Sequence, residues 1–181
     1  MGYAGGTSKN PTYYNLDNHS ESVQIDYDPA KTSYKELLNV FWSSHYPTAP
    51  SFSRQYMSIV FYHNDEQREL AAAAKQAEEN RLGRGIFTEI IPYSAFYLAE
   101  GYHQKYYLQQ VQELMAGFRT RYPDTEKFID STAAARVNGY AGGYGKPETL
   151  QKGLMSYGLT PAGNKKLLEI APAGSGVCPV P

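Results

Sequence analysis

The stretch Glu21-Ser22-Val23-Gln24-Ile25-Asp26-Tyr27-Asp28-Pro29, followed closely by Ser33-Tyr34-Lys35-Glu36-Leu37, carries the change of period that decides the fold. Val23, Ile25 and Tyr27 alternate with Ser22, Gln24 and Asp26, the period of a strand with one apolar face. Asp28-Pro29 stops that strand. Ser33 and Glu36 form a capping box, which opens a helix with Leu37, Val40 and Phe41 on one face. Upstream, residues 1–20 are rich in Gly, Asn and Ser and read as loop. Downstream, Pro47 and Pro50 bracket a rigid loop. Tyr56–Tyr62 is apolar on both sides, as a central strand would be. Asn64-Asp65-Glu66 starts a second helix through about Arg81, and the turn Gly83-Arg84-Gly85 leads into a third strand, Ile86–Ile91. Strands alternating with helices imply an α+β arrangement, a sheet with helices packed on it.

After Pro92 the pattern turns helical. The spacing predicts a long helix from Ala99 to Phe118, with Tyr107, Val111, Leu114 and Phe118 on one face. Three more helices follow: Thr125–Val137, ended by Asn138-Gly139; Pro147–Tyr157, ended by Gly158; and Pro161–Ile170, with Thr160 as its N-cap. This places a domain division near residue 122, giving a domain over 1–121 and a helical extension over 122–181. Residues 171–181 form a Gly/Pro tail without a core-forming pattern. Gly-Tyr-Ala-Gly-Gly occurs at 2–6 and again at 139–143, but the likeness stops at five residues, so the second copy reads as a helix-ending loop.

Composition narrows the functional classes. The chain has 181 residues, 41% of them hydrophobic, and a formal charge of −1, which leaves no basic footprint for nucleic acid or anionic lipid. Its apolar runs are too short for a transmembrane segment. The single cysteine, Cys178, excludes an internal disulfide framework and a cysteine-rich metal site. No signal peptide is visible, so a reducing intracellular compartment or organelle is expected rather than secretion. Seventeen tyrosines supply apolar area with a polar tip, suited to pocket walls and to interfaces.

Glu21 is the sharpest chemical signal. It is in phase with Val23, Ile25 and Tyr27, so strand alternation turns its carboxyl toward the apolar face. Desolvation there raises a carboxyl pKa and suits it to act as an acid. The competing reading has Glu21 at an exposed strand end, pointing to water.

Five motifs then occur in a fixed order. They are Gly2-Tyr3-Ala4-Gly5-Gly6-Thr7; His19-Ser20-Glu21 with the strand ending Tyr27-Asp28-Pro29; Phe41-Trp42; Gln55-Tyr56; and Phe96-Tyr97-Leu98-Ala99-Glu100 with His103-Gln104. Together they resemble the type A peptide methionine-sulfoxide reductases, over residues 1 to about 108. The resemblance implies a two-layer α+β sandwich with a mixed, ferredoxin-like sheet. It also implies thiol-dependent reduction of methionine sulfoxide in proteins, with no cofactor and with thioredoxin as the reductant.

On this likeness Glu21 donates to the sulfoxide oxygen, Tyr3 and Tyr56 assist it, and Gln55 and His103 border the substrate. A sulfoxide sulfur becomes open to attack when acids neutralise charge developing on its oxygen. The departures from the family are equally specific. Its pocket Asp is Ser51 here. Its nucleophile lies in a Gly-Cys-Phe-Trp-Gly segment, one strand and one helix before the point where this chain begins. Phe41-Trp42 matches a different family segment and reads as core.

Cys178, in a Gly-rich tail, resembles the family's resolving thiols, which need a first cysteine to act on. Two functions are therefore expected. One is a reductase domain impaired without its nucleophile. The other is a non-catalytic subunit of a larger assembly, in which a protein partner covers the missing strand. His19, His45, His63 and His103 show no metal-ligand spacing.

Overall fold

A computed structural model describes residues 1–171. The chain is mixed α/β and divides into two compact units, Met1–Glu100 and Gly101 onward, rather than near residue 122.

The first unit holds all five strands of the described residues. β1 (Gly2–Ala4) lies between β2 (Ser20–Ser22) and β5 (Phe96–Leu98), antiparallel to both. β3 (Ile59–Tyr62) pairs in parallel with β4 (Glu89–Pro92) in a separate two-stranded sheet. Between them run helix α1 (Tyr34–Ser43) and helix α2 (Asp65–Leu82). The capping box forms as the spacing required: Ser33 Oγ accepts from the Glu36 N–H, and the Glu36 carboxylate accepts from the Ser33 N–H at 2.7 Å. Asn64 caps α2, and Gly83 ends it in the left-handed conformation. Leu38, Trp42, Val60, Ala71 and Ile86 form the core beneath these helices, so Trp42 is a core residue. The His45 ring ties the elements together, bonding the Phe41 carbonyl through Nδ1 and Ser58 Oγ through Nε2, each at 2.8 Å.

Several expected elements change. Of the strand expected to run on from Glu21 to Tyr27, only Ser20–Ser22 is paired; Val23 and Ile25 are 65% and 55% exposed. The alternation is present, but the described residues offer that segment no neighbour to bond. Tyr56–Tyr62 becomes a 3₁₀ turn (Arg54–Tyr56) followed by the shorter β3, which pairs only with β4 among the described residues. The third strand starts at Glu89 instead of Ile86. Gly2–Ala4, expected as loop, is the middle strand of its sheet. On α1 the buried pair is Leu38 and Trp42, while Leu37, Val40 and Phe41 line an open groove of about 700 Å³ with Val23, Ile25 and Phe61.

The second unit is helical among its described residues: α3 (Tyr106–Gln109), α4 (Gln112–Arg121), α5 (Thr125–Asp130), α6 (Thr132–Ala141), α7 (Pro147–Gly153) and α8 (Pro161–Ile170). The long helix expected from Ala99 is instead β5, a 3₁₀ turn (Gly101–His103), α3 and α4. Lys105 at φ 48° and the extended Val111 break the helical run. Thr125–Val137 divides at Ser131, which caps α6, and α6 continues through Asn138-Gly139. Thr160 caps α8 as expected. Leu108, Leu114, Phe118, Val137, Tyr157 and Leu167 centre this unit's own core. α4 and α8 meet closely enough that a side chain on Gly163 would come within 2.9 Å of the Glu113 carbonyl.

Candidate active site

The site starts from the register of β1. Tyr3 faces Glu21 on one side and Tyr97 on the other, and residues directly opposite in antiparallel strands project from the same face. Gly5 and Gly6 then turn the chain away. Gly5 sits at φ 80° with the Phe61 ring 2.9 Å from where a Cβ would stand, and a side chain on Gly6 would overlap the His19 ring. The loop that follows is closed by buried His19. Its Nδ1 accepts from the Gly6 N–H at 3.2 Å, which leaves the hydrogen on Nε2 to donate to the Ser8 carbonyl at 3.0 Å.

Tyr3 is 1% exposed, packed with Leu16 and Ala99. Its hydroxyl donates to Glu100 Oε2 at 2.6 Å, and Glu100 Oε1 accepts from the Tyr13 N–H at 3.0 Å. The Glu100 carboxylate thus holds a phenol of the central strand and the backbone of the loop carrying Tyr13. This is a short, charge-assisted arrangement. In the sequence Glu100 only closes the Phe96–Glu100 motif, which says nothing of these partners.

A second hydrogen bond assembles the other half. Ser20 Oγ donates to the Arg54 carbonyl at 2.6 Å, fixing the 3₁₀ turn beside β2, and the Arg54 guanidinium pairs with Glu89 of β4 at 2.7 Å. From that turn Gln55 Nε2 donates to Glu21 Oε1 at 2.8 Å. Glu21 is half-buried at the groove's edge. Tyr56, next along, is 47% exposed, with the Tyr13 side chain and the Glu21 carboxyl close by. The neighbouring Tyr13 side chain first, then desolvation and the nearby Glu21, hold the Tyr56 phenol above its ordinary 10. It therefore stays a proton donor throughout the neutral range.

Glu21, Gln55 and Tyr56 stand together. Tyr3 belongs to the hydrogen-bonded support behind them, and Tyr13 supplies the hydroxyl beside Tyr56. No periodicity singles out Tyr13 from its neighbours; its one sequence signal is a turn-forming Asn10-Pro11 just before it. Ser51 turns inward on its own loop, donating to the Ser53 carbonyl at 2.7 Å. His103 lies in the second unit, its ring 4.2 Å from that of Tyr102. Cys178 lies outside the described residues. Among the described residues no group of His, Cys, Asp or Glu is placed to hold a metal ion, and no helix is long and apolar enough to cross a membrane. At the rim of the groove the Tyr56 hydroxyl can donate to a compact, strongly accepting oxygen.

Comparisons with known proteins point to one family. A sequence profile described as peptide methionine sulfoxide reductase matches residues 1–146, which carries the likeness past residue 108 and into the helical unit. A Drosophila melanogaster protein, "Peptide methionine sulfoxide reductase", is 40% identical over 164 residues, covering 89% of this chain and 65% of its own length. "Peptide methionine sulfoxide reductase A5" of Oryza sativa subsp. japonica is 39% identical over 155 residues, covering 82% of this chain and 60% of its own. The chain thus spans less than two thirds of the length of these relatives. The crystal structure of Mxr1 from Saccharomyces cerevisiae in reduced form superposes with a TM-score of 0.53 at 29% identity, over 60% of this chain and 68% of that one.

Proposed function

Because the chain belongs to the peptide methionine sulfoxide reductase family, we propose that Glu21, Tyr56 and Tyr13 form the oxygen-polarising half of a site for methionine-S-sulfoxide in proteins. The observation that carries this reading is the Glu21–Gln55 bond beside Tyr56 and its neighbour Tyr13, with Glu21 and Tyr56 at the edge of one groove. The sulfoxide oxygen accepts from Glu21 in its acid form and from the phenols, which leaves the sulfur electron-poor. A thiol then attacks that sulfur. The S–O bond breaks and the oxygen passes to the thiol sulfur, giving a sulfenic acid and a thioether. A second thiol condenses with the sulfenic acid, releasing water and leaving a disulfide, which thioredoxin or dithiothreitol reduces. Gln55 orients Glu21, and Tyr3 acts through Glu100 to hold the Tyr13 loop.

In this reading residues 1–181 alone are impaired, because Cys178 is their one thiol and it resolves rather than initiates. Mass spectrometry of a methionine-S-sulfoxide peptide incubated with the protein and dithiothreitol tests this. The expected result is binding without appreciable turnover. Stereospecific turnover lost in Cys178→Ser would instead make the tail thiol the nucleophile.

A second reading is favoured by the groove itself. Val23, Ile25, Val40 and Phe61 are apolar and face it, and β3 carries no partner on that side among the described residues. An extended strand laid there would join the two sheets into the single mixed, ferredoxin-like sheet of a two-layer sandwich. Supplied by a protein partner, such a strand would make this chain a subunit of an assembly. A protein with all of its strands paired when purified alone from its native source would exclude that reading.

A further inference from the structure

Two pairs of aromatic rings stand side by side at the candidate site. The Phe52 ring lies 5.3 Å from that of Tyr56, the Tyr13 side chain is near enough to raise the Tyr56 phenol, and the Tyr13 ring meets Tyr14 edge-on at 5.5 Å. The two middle rings hold the polar centre. The two outer ones are almost fully in solvent, Phe52 at 88% and Tyr14 at 92% exposed. Large rings left in water on both sides of a polar site are the signature of a surface that gains by covering them. Their surroundings select the cover. Residues 11–16 and 51–53 contain no charged side chain, and Arg54, the next cation along, is engaged by Glu89. An acidic neighbour would therefore lose water on this surface without gaining a partner, whereas an apolar one buries area.

We infer that Phe52 and Tyr14 are specificity determinants that grip the residues flanking an oxidised methionine, selecting extended polypeptide with large apolar side chains beside it. Two outer rings set apart by the Tyr56–Tyr13 pair require the substrate to lie across the site as an extended chain, with one neighbour on each ring. A methionine in a folded surface with acidic neighbours satisfies neither contact. This inference rests on the reading of Glu21, Tyr13 and Tyr56 as the sulfoxide site.

Calorimetry with three acetylated, amidated heptapeptides, each with a central methionine-S-sulfoxide flanked by Leu and Phe, by Ser, or by Asp, separates the two. The expected result is an order Leu/Phe > Ser > Asp, the first two differing by roughly 5- to 20-fold. Phe52→Ser and Tyr14→Ser should each shrink that ratio while leaving the Ser-flanked peptide unchanged. Both side chains are exposed, so neither change disturbs the core. Equal affinity for all three peptides, lost in Glu21→Gln, overturns the inference and leaves the sulfoxide site standing. Binding that is absent, or indifferent to Glu21→Gln, overturns both. If sedimentation shows a dimer that Phe52→Ser dissociates, the rings form a self-interface and the inference fails.

Discussion

Glu100 joins Tyr3 to the Tyr13 backbone, so its removal affects stability and binding by different routes. Glu100→Ala strands a buried phenol without its acceptor, which should destabilise the fold by about 1–3 kcal/mol in urea unfolding. Adding Tyr3→Phe removes the stranded hydroxyl, so the double variant should lose less than the sum of the single ones. The same pair tests the assignment of roles. Tyr3→Phe should leave affinity for a methionine-S-sulfoxide peptide nearly unchanged, because that hydroxyl already donates to Glu100. Tyr13→Phe, Tyr56→Phe and Glu21→Gln should each weaken it, by up to about tenfold for the loss of one donor to the bound oxygen. If Tyr3→Phe has the largest effect in calorimetry, the support and the site have been exchanged.

At the scale of elements, the decisive contacts are those that bring separate turns to one strand. Gly5 combines a left-handed backbone with a phenyl ring where a Cβ would stand. Gly5→Ala should therefore destabilise the unit by at least about 1–2 kcal/mol, the cost of the left-handed conformation alone, measurable by thermal melting. The segment 23–27 has strand alternation without strand pairing, so its amides should exchange with deuterium far faster than those of α2. Addition of a polypeptide that supplies the missing neighbour should slow exchange there and across β3.

Much of this level was legible beforehand. The Ser33–Glu36 box, the Asn64 and Thr160 caps and the Gly83 stop depend on residues within four positions of one another, and each forms as read. The interruptions at Lys105 and Val111 were not legible, because helical spacing continues through them and tertiary packing breaks it.

For the molecule as a whole, each of the two units carries its own core, and the helical one contains an alkaline trigger. Burial first, then the hydrogen bond to Tyr157, pushes the Tyr140 phenol from 10 up to about 12. In the unfolded chain this phenol ionises near its ordinary value, so between about pH 10 and 12 the unfolded state sheds a proton that the native state keeps. The stability this represents is complete below pH 10 and is lost as pH rises through that window. Denaturant midpoints should fall across it, and Tyr140→Phe should flatten the fall. Leu114→Ala, at the centre of the same core, should cost about 2–5 kcal/mol at neutral pH.

The sequence by itself determined the helix caps, the alternation of strands and helices, and the family to which the motifs belong, because all of these rest on local spacing and residue type. It also marked Glu21, Gln55 and Tyr56. Only the tertiary structure decided that Tyr3 turns to Glu100, that Tyr13 lies beside Tyr56, and that Val23 and Ile25 remain in water. Those outcomes depend on which distant segments meet: whether a strand finds a neighbour, and whether a hydroxyl finds its acceptor, is settled by chain regions far apart in sequence that no local pattern encodes.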